Sequence, residues 1–238
     1  MPVDALSLTA VLSVLLLALL HTAIGPDHYL PFVMLGRARR WSLRKTLVVT
    51  ALCGGGHVAS SLALGVLGLG AGAAVGSIEG LETQRGASAA WSLVVLGLAY
   101  GLWGLRRSLR QRRGLELHSH AGHVHLHDGG EHAHGHAHEP PPLRRETTFW
   151  ALFIVFVLGP CEPLIPLFVL PASQGRWGLA AAMAAVFCAV TIGTMLLIVA
   201  AGLKGLRTLR LGRLERWSHV IAGAVVAASG AAVLLAPI

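Results

Sequence analysis

His21-Thr22-Ala23-Ile24-Gly25-Pro26-Asp27-His28-Tyr29-Leu30-Pro31-Phe32 follows directly on the apolar run Val14–Leu20. It puts two imidazoles and a carboxylate where the flanking sequence suits only hydrocarbon. Ionisable groups inside such a run are costly and mark a functional site. A second stretch echoes the first: Leu158-Gly159-Pro160-Cys161-Glu162-Pro163-Leu164-Ile165-Pro166-Leu167-Phe168. Each reads Gly-Pro, two polar residues, then an apolar pair and a proline, with Pro163 interposed before the pair in the second. Proline removes a backbone donor and disfavours helix just before it. Both stretches are therefore expected to break a helix, the second more thoroughly because Pro163 and Pro166 follow Pro160. Carbonyls freed at membrane depth must be buried in protein or face a wet cavity. Matching breaks in two halves of a chain point to a transporter's binding site.

The rest of the chain agrees with a membrane setting. Of 238 residues 54% are hydrophobic and only 13% charged, about half the charge of a soluble domain. Six apolar segments reach the length of a bilayer crossing: 5–25, 46–75, 88–105, 148–171, 177–203 and 217–237. The first lacks a basic leader, so no cleaved signal peptide is expected. The expected class is an all-α polytopic membrane protein with six transmembrane helices. Residues 1–105 form a first three-helix repeat, 106–146 a basic and His-rich loop, and 147–238 a second repeat. Three spans per half force the second half in from the opposite side, an inverted repeat with broken first and fourth helices. Echoes fit this. At the offset of the Gly-Pro motifs His57 falls on Thr191 and Ser60 on Thr194, and Trp91-Ser92 with Gly97 matches Trp217-Ser218 with Gly223.

The net charge of +8 invites a nucleic-acid partner, but its distribution argues against one. Seventeen of the 19 Lys and Arg fall at 37–45, 106–113, 144–145 and 204–216, leaving only Arg85 and Arg176 in the alternate loops. The positive-inside rule then puts those basic loops in the cytoplasm and both termini outside a cell (inner) membrane. The partners expected are the lipid bilayer and a transition-metal ion, with no nucleic acid. Residues 118–138 carry nine histidines, followed by Pro140, Pro141 and Pro142. Such a tract has no apolar periodicity and is expected to be a disordered cytoplasmic loop that binds metal.

The candidate metal ligands are His21, Asp27, His28, His57, Cys161 and Glu162. His57 follows Gly54-Gly55-Gly56, which would let another backbone approach. Imidazole, carboxylate and thiolate together suit nickel, cobalt or zinc better than magnesium or calcium. No Lys or Arg is expected in a span interior, which favours cations over anions. Taken singly, His57 also reads as a hydrogen bond between helices and Cys161 as a small hydrophobe. Proton carriage competes for Asp27 and Glu162. Ser60, Ser61, Thr191 and Thr194 read as knitting helices together, and His219 as interfacial. Cys53, Cys161 and Cys188 contain no CxxC pair, so no disulfide framework is expected.

His21-x5-Asp27-His28 resembles the His-x4-Asp-His signature of the nickel/cobalt transporter superfamily, with one extra residue. His21 to His28 followed by Leu30-Pro31 resembles its UreH-like branch, related to the NicO group. Gly159-Pro160-Cys161-Glu162-Pro163, with its mirror copy, resembles the wider group of DsbD/CcdA electron carriers and LysE-type exporters. The resemblance implies a six-helix secondary transporter of Ni(II) or Co(II), with His21, Asp27 and His28 as ligands and no tightly bound cofactor; Zn(II) also suits the ligand set. It extends to urease or hydrogenase maturation factors as partners. The chain is expected not to be an enzyme. A thiol–disulfide carrier would need a second cysteine where Asp27 and His28 stand, and an anion exporter would need an intramembrane cation. The chain has no GxxxxGK[ST] motif, so a gradient must drive transport. An inside-negative potential favours cation entry by about 2.3 kcal/mol per charge per 100 mV, and a dication by about twice that.

Overall fold

A computed structural model of the chain describes residues 5–72, 75–112, 116–120, 123–127, 145–159, 161, 163–208 and 212–235. Helix α1 (Ala5–Ile24) ends at Gly25-Pro26. A single 3-10 turn, Pro26–His28, leads into α2 (Leu30–Ala38). Pro31 occupies the first turn of α2, where no amide is needed. The two arms meet at a bend of 79°. The long helices α3 (Leu43–Gly70) and α4 (Val75–Arg112) follow. Ser42 caps α3, its hydroxyl accepting from the Lys45 amide at 3.2 Å. After the insert come α5 (Arg145–Leu158), α6 (Leu164–Ser173), α7 (Trp177–Thr208) and α8 (Ser218–Leu235).

Among the described residues four helices are long and apolar enough to cross a membrane, or five if the bent pair α1–α2 is one span. The protein is thus a helical, membrane-embedded chain. Its outward surface fits that setting: Leu12, Leu16, Val95, Leu98 and Leu197 are all exposed. Helices α5 and α6 are each too short to cross alone. They are separated at Gly159, as the sequence leads one to expect. Pro166, however, does not extend the break. It sits in the first turn of α6, where a missing amide costs nothing.

Helix α4 continues to Arg112, well into the stretch read as a loop. Beyond it Glu116–His120 and His123–His127 pair as antiparallel strands β1 and β2, with His118 opposite His125 and His120 opposite His123. The expectation of disorder is corrected there. Histidine alternates with Leu117, Ser119, Val124 and Leu126, and that period of two suits a strand. The other insert histidines, at 132–138, lie outside the described residues.

Among the described residues two large apolar cores stack along the bundle, with a small third one of Leu93, Val155 and Val226. One holds Val14, Val58, Leu164, Phe168 and Phe187; the other holds Phe32, Cys53, Phe156, Met195 and Val199. On α3, His57 falls between Cys53 of one core and Val58 of the other. On α7, Thr191 falls between Phe187 and Met195. The polar residues therefore share one level, between the cores.

Helices α4 and α8 touch backbone to backbone. A Cβ on Gly97 would collide with Ala227 N and Gly223 O, and one on Gly223 with Gly101 and Gly97. Small residues permit such close approach, which replaces the hydrophobic drive that lipid removes. Gly97 and Gly223 are the glycines of the sequence echo, and they lie against each other.

Candidate metal centre

Each polar residue reaches the middle level by a separate device. His21 ends α1. Asp27 and His28 sit on the 3-10 turn that Pro26 opens. His57 lies mid-way along α3, and Cys161 lies in the second break. The His21 and His28 rings are 4.8 Å apart, and the His28 and His57 rings 5.3 Å, each pair edge to face. One ligand atom each from His21, His57 and Cys161 lie within 4.8 Å of one another.

The chemistry of these groups is unbalanced without a further partner. His21 Nε2, His57 Nε2 and both ring nitrogens of His28 are buried with no hydrogen bond among the described residues. His28 Nδ1 has an ion-pair contact with Asp27 Oδ1 at 3.3 Å. Buried polar atoms of native proteins rarely stay unpaired, and several in one place point to an absent ion or water. His57 Nδ1 lies 3.3 Å from the Phe156 carbonyl oxygen. A carbonyl only accepts, so Nδ1 carries the proton and Nε2 keeps a free lone pair. Orientation of this kind readies an imidazole for a metal. Its origin is visible in the sequence. In an unbroken helix Phe156 O would accept from residue 160, and Pro160 has no amide hydrogen.

The motif glycines make room for the rings. A Cβ on Gly25 would lie 2.5 Å from His28 Nδ1, and a Cβ on Gly159 would lie 3.2 Å from His57 Nδ1. Gly25 and Gly159 are equivalent in the two motifs, and each abuts an imidazole.

A cavity of about 430 Å³ adjoins the cluster. His21, Asp27, His28 and His57 line one side, and Gly86, Ala90 and Leu93 of α4 with Val233 of α8 line the other. Toward the surface it is bounded by Ile24, Thr83 and Ala87, all exposed. Below the imidazoles Phe32 and Phe156 pack ring to ring at 4.7 Å. Phe156 of that pair also lines the cavity.

The structure brings His21, Asp27, His28, His57 and Cys161 to this level. Glu162 lies outside the described residues. The run Gly54–Gly56 admits side chains rather than a backbone: Met195 lies against Gly54, and Val157 and Phe153 against Gly56. His219 is away from the cluster, its Nδ1 2.8 Å from Tyr100 Oη and its ring against Trp103. Cys53, Cys161 and Cys188 are free thiols.

Two charges were not foreseen here. Glu82 and Arg85 lie on α4 within the candidate span Ser77–Arg110, and Glu82 is fully buried. Arg85 lies on helix α4 rather than in a loop. The spacing i, i+3 of opposite charges on a run of Gly, Ala and Ser was the signal available.

Compared with known proteins, the chain matches no family model, no curated protein and no solved structure.

Proposed function

We propose that the chain is a secondary transporter of a divalent transition-metal cation, nickel or cobalt foremost, through a centre built by His21, His57 and Cys161 with Asp27 and His28 beside it. The observation that carries this reading is the set of buried, hydrogen-bond-free imidazole nitrogens facing a buried thiol where two helices break. Imidazole and thiolate select nickel, cobalt and zinc over hard cations. Asp27 supplies negative charge at the cavity without being part of the tightest cluster. Its carboxylate attracts a dication toward the imidazoles. The cavity and the aromatic pair below it suit a route with a site at mid-depth, as alternating access requires.

The proposed topology has six spans. Helices α5 and α6 count as one broken span, the counterpart of α1 and α2. Equivalent glycines beside imidazoles and the paired Gly97 and Gly223 support two inverted halves. Both termini are outside and the basic loops cytoplasmic, by the distribution of Arg and Lys. The cavity then faces outward. The His-rich insert lies in the cytoplasm, where its imidazoles hold metal near the inner end of the path.

The test is metal content of cells with and without the protein, measured for Ni, Co, Zn, Cu and Mn. Nickel or cobalt content is expected to change while manganese does not, and the sign of the change gives the direction. Unchanged contents of all five metals, with the protein present in the membrane, would overturn the assignment.

A further inference from the structure

The second break leaves backbone groups that a helix would have paired. Val157 O would accept from the amide of residue 161. It accepts instead from Arg85 Nη2, at 2.7 Å. The same nitrogen is 3.5 Å from Gly159 O and 2.9 Å from Ser60 Oγ. The Cys161 amide donates to Ser61 Oγ at 3.0 Å. The Ser61 hydroxyl donates to Glu82 Oε2 at 3.1 Å. Glu82 Oε1 pairs with Arg85 Nη1, which closes a circuit. Its ends are residue 157 on one side of the break and residue 161 on the other. Both Glu82 oxygens are occupied, and the Arg85 side chain is 22% exposed.

A buried ion pair is weak evidence of stability, because desolvation offsets its attraction. What this one does is geometric. A guanidinium presents several donors in a rigid fork, so it can hold two carbonyls and a carboxylate at once. Cys161 has no helix to orient it. Its amide and the carbonyl four residues earlier are fixed by α3 and α4 instead.

We infer that Arg85, Glu82 and Ser61 are positioning residues that hold the Cys161 thiol in register with His21 and His57. This rests on reading that cluster as the metal centre. Loss of the circuit frees the break, so the thiol becomes reactive and leaves the metal site.

The test uses the full chain purified in detergent, with Cys53→Ala and Cys188→Ala so that Cys161 is the single thiol. Alkylation by N-ethylmaleimide reads its exposure, and calorimetric titration with Ni(II) reads the site. Glu82→Gln with Arg85→Met removes both charges and strands neither. In this double variant and in Ser61→Ala, alkylation is expected to accelerate by roughly tenfold or more, as for a segment released from native packing. Arg85→Lys should fall between, since an ammonium reaches Glu82 but cannot fork. Ni(II) affinity should fall about 10–100-fold. In a Cys161→Ala background the same changes should cost nothing further. Parental alkylation rates in variants with the parental melting temperature would overturn the inference, and Arg85→Lys serves if the bolder variants do not fold. A parent chain that binds no Ni(II) would remove the metal reading, and alkylation would still decide the positioning role.

Discussion

His57→Ala is expected to abolish metal transport while leaving the bundle folded. His57 Nε2 is buried and without a hydrogen bond among the described residues, so it contributes little to holding helices together. Its Nδ1 does hold the Phe156 carbonyl, but that oxygen also accepts from the Gly159 amide at 3.1 Å. Losing one of two donors to it should cost about 1 kcal/mol. Loss of even an outer-shell partner of a ligand typically costs about 10–100-fold in metal affinity, and loss of the ligand itself should cost more. The check is nickel and cobalt transport at matched protein levels, with a melting curve in detergent. Parental transport by His57→Ala would make this imidazole a structural bridge between α3 and α5.

Gly97→Leu is expected to have the largest effect on stability. Glycine at 97 lets α4 meet the backbone of α8 at Gly223 and Ala227. A leucine cannot be absorbed by a rotamer change, because the atoms it meets belong to the opposing main chain. Overpacking a close-packed site costs about 1–3 kcal/mol, and a backbone clash belongs at the top of that range. Thermal unfolding followed by tryptophan fluorescence should show a clear drop in midpoint. Gly80→Leu is the control, since a Cβ there meets nothing within 4 Å. Equal midpoints for the two variants would mean that α4 and α8 do not rely on this contact.

Much of the site was legible from chemistry that needs no tertiary knowledge. Proline lacks an amide hydrogen and disfavours helix just before it, and α1 and α5 do end at Ile24 and Leu158, next to Gly25-Pro26 and Gly159-Pro160. Histidine in an apolar run has few ways to be satisfied, so His21, His28 and His57 stood out together. The legible part ended where satisfaction comes from a distant element. Arg85 read as a loop charge because it lies near the start of an apolar run. Its partners, the carbonyls of Val157 and Gly159, are more than 70 residues away. Pro166 read as a breaker because a proline's effect depends on its place within a turn, and that place is set only once α6 begins at Leu164. The strands Glu116–His120 and His123–His127 were hidden by composition, since their period of two is written in histidine rather than in β-branched residues. Cys161 was legible as a residue type, but its nearness to His21 and His57 follows from two breaks meeting at one level.

That meeting is the central claim, and X-ray absorption on the metal-loaded protein tests it most directly. The purified chain, loaded with one equivalent of zinc, should show nitrogen scatterers at about 2.0–2.1 Å and one sulfur at about 2.3 Å. The sulfur shell should vanish in Cys161→Ser and persist in Cys53→Ser and Cys188→Ser, and nickel and cobalt should show the same one-sulfur set. A metal shell of oxygen and nitrogen alone in the parent protein, unchanged by Cys161→Ser, would contradict the account.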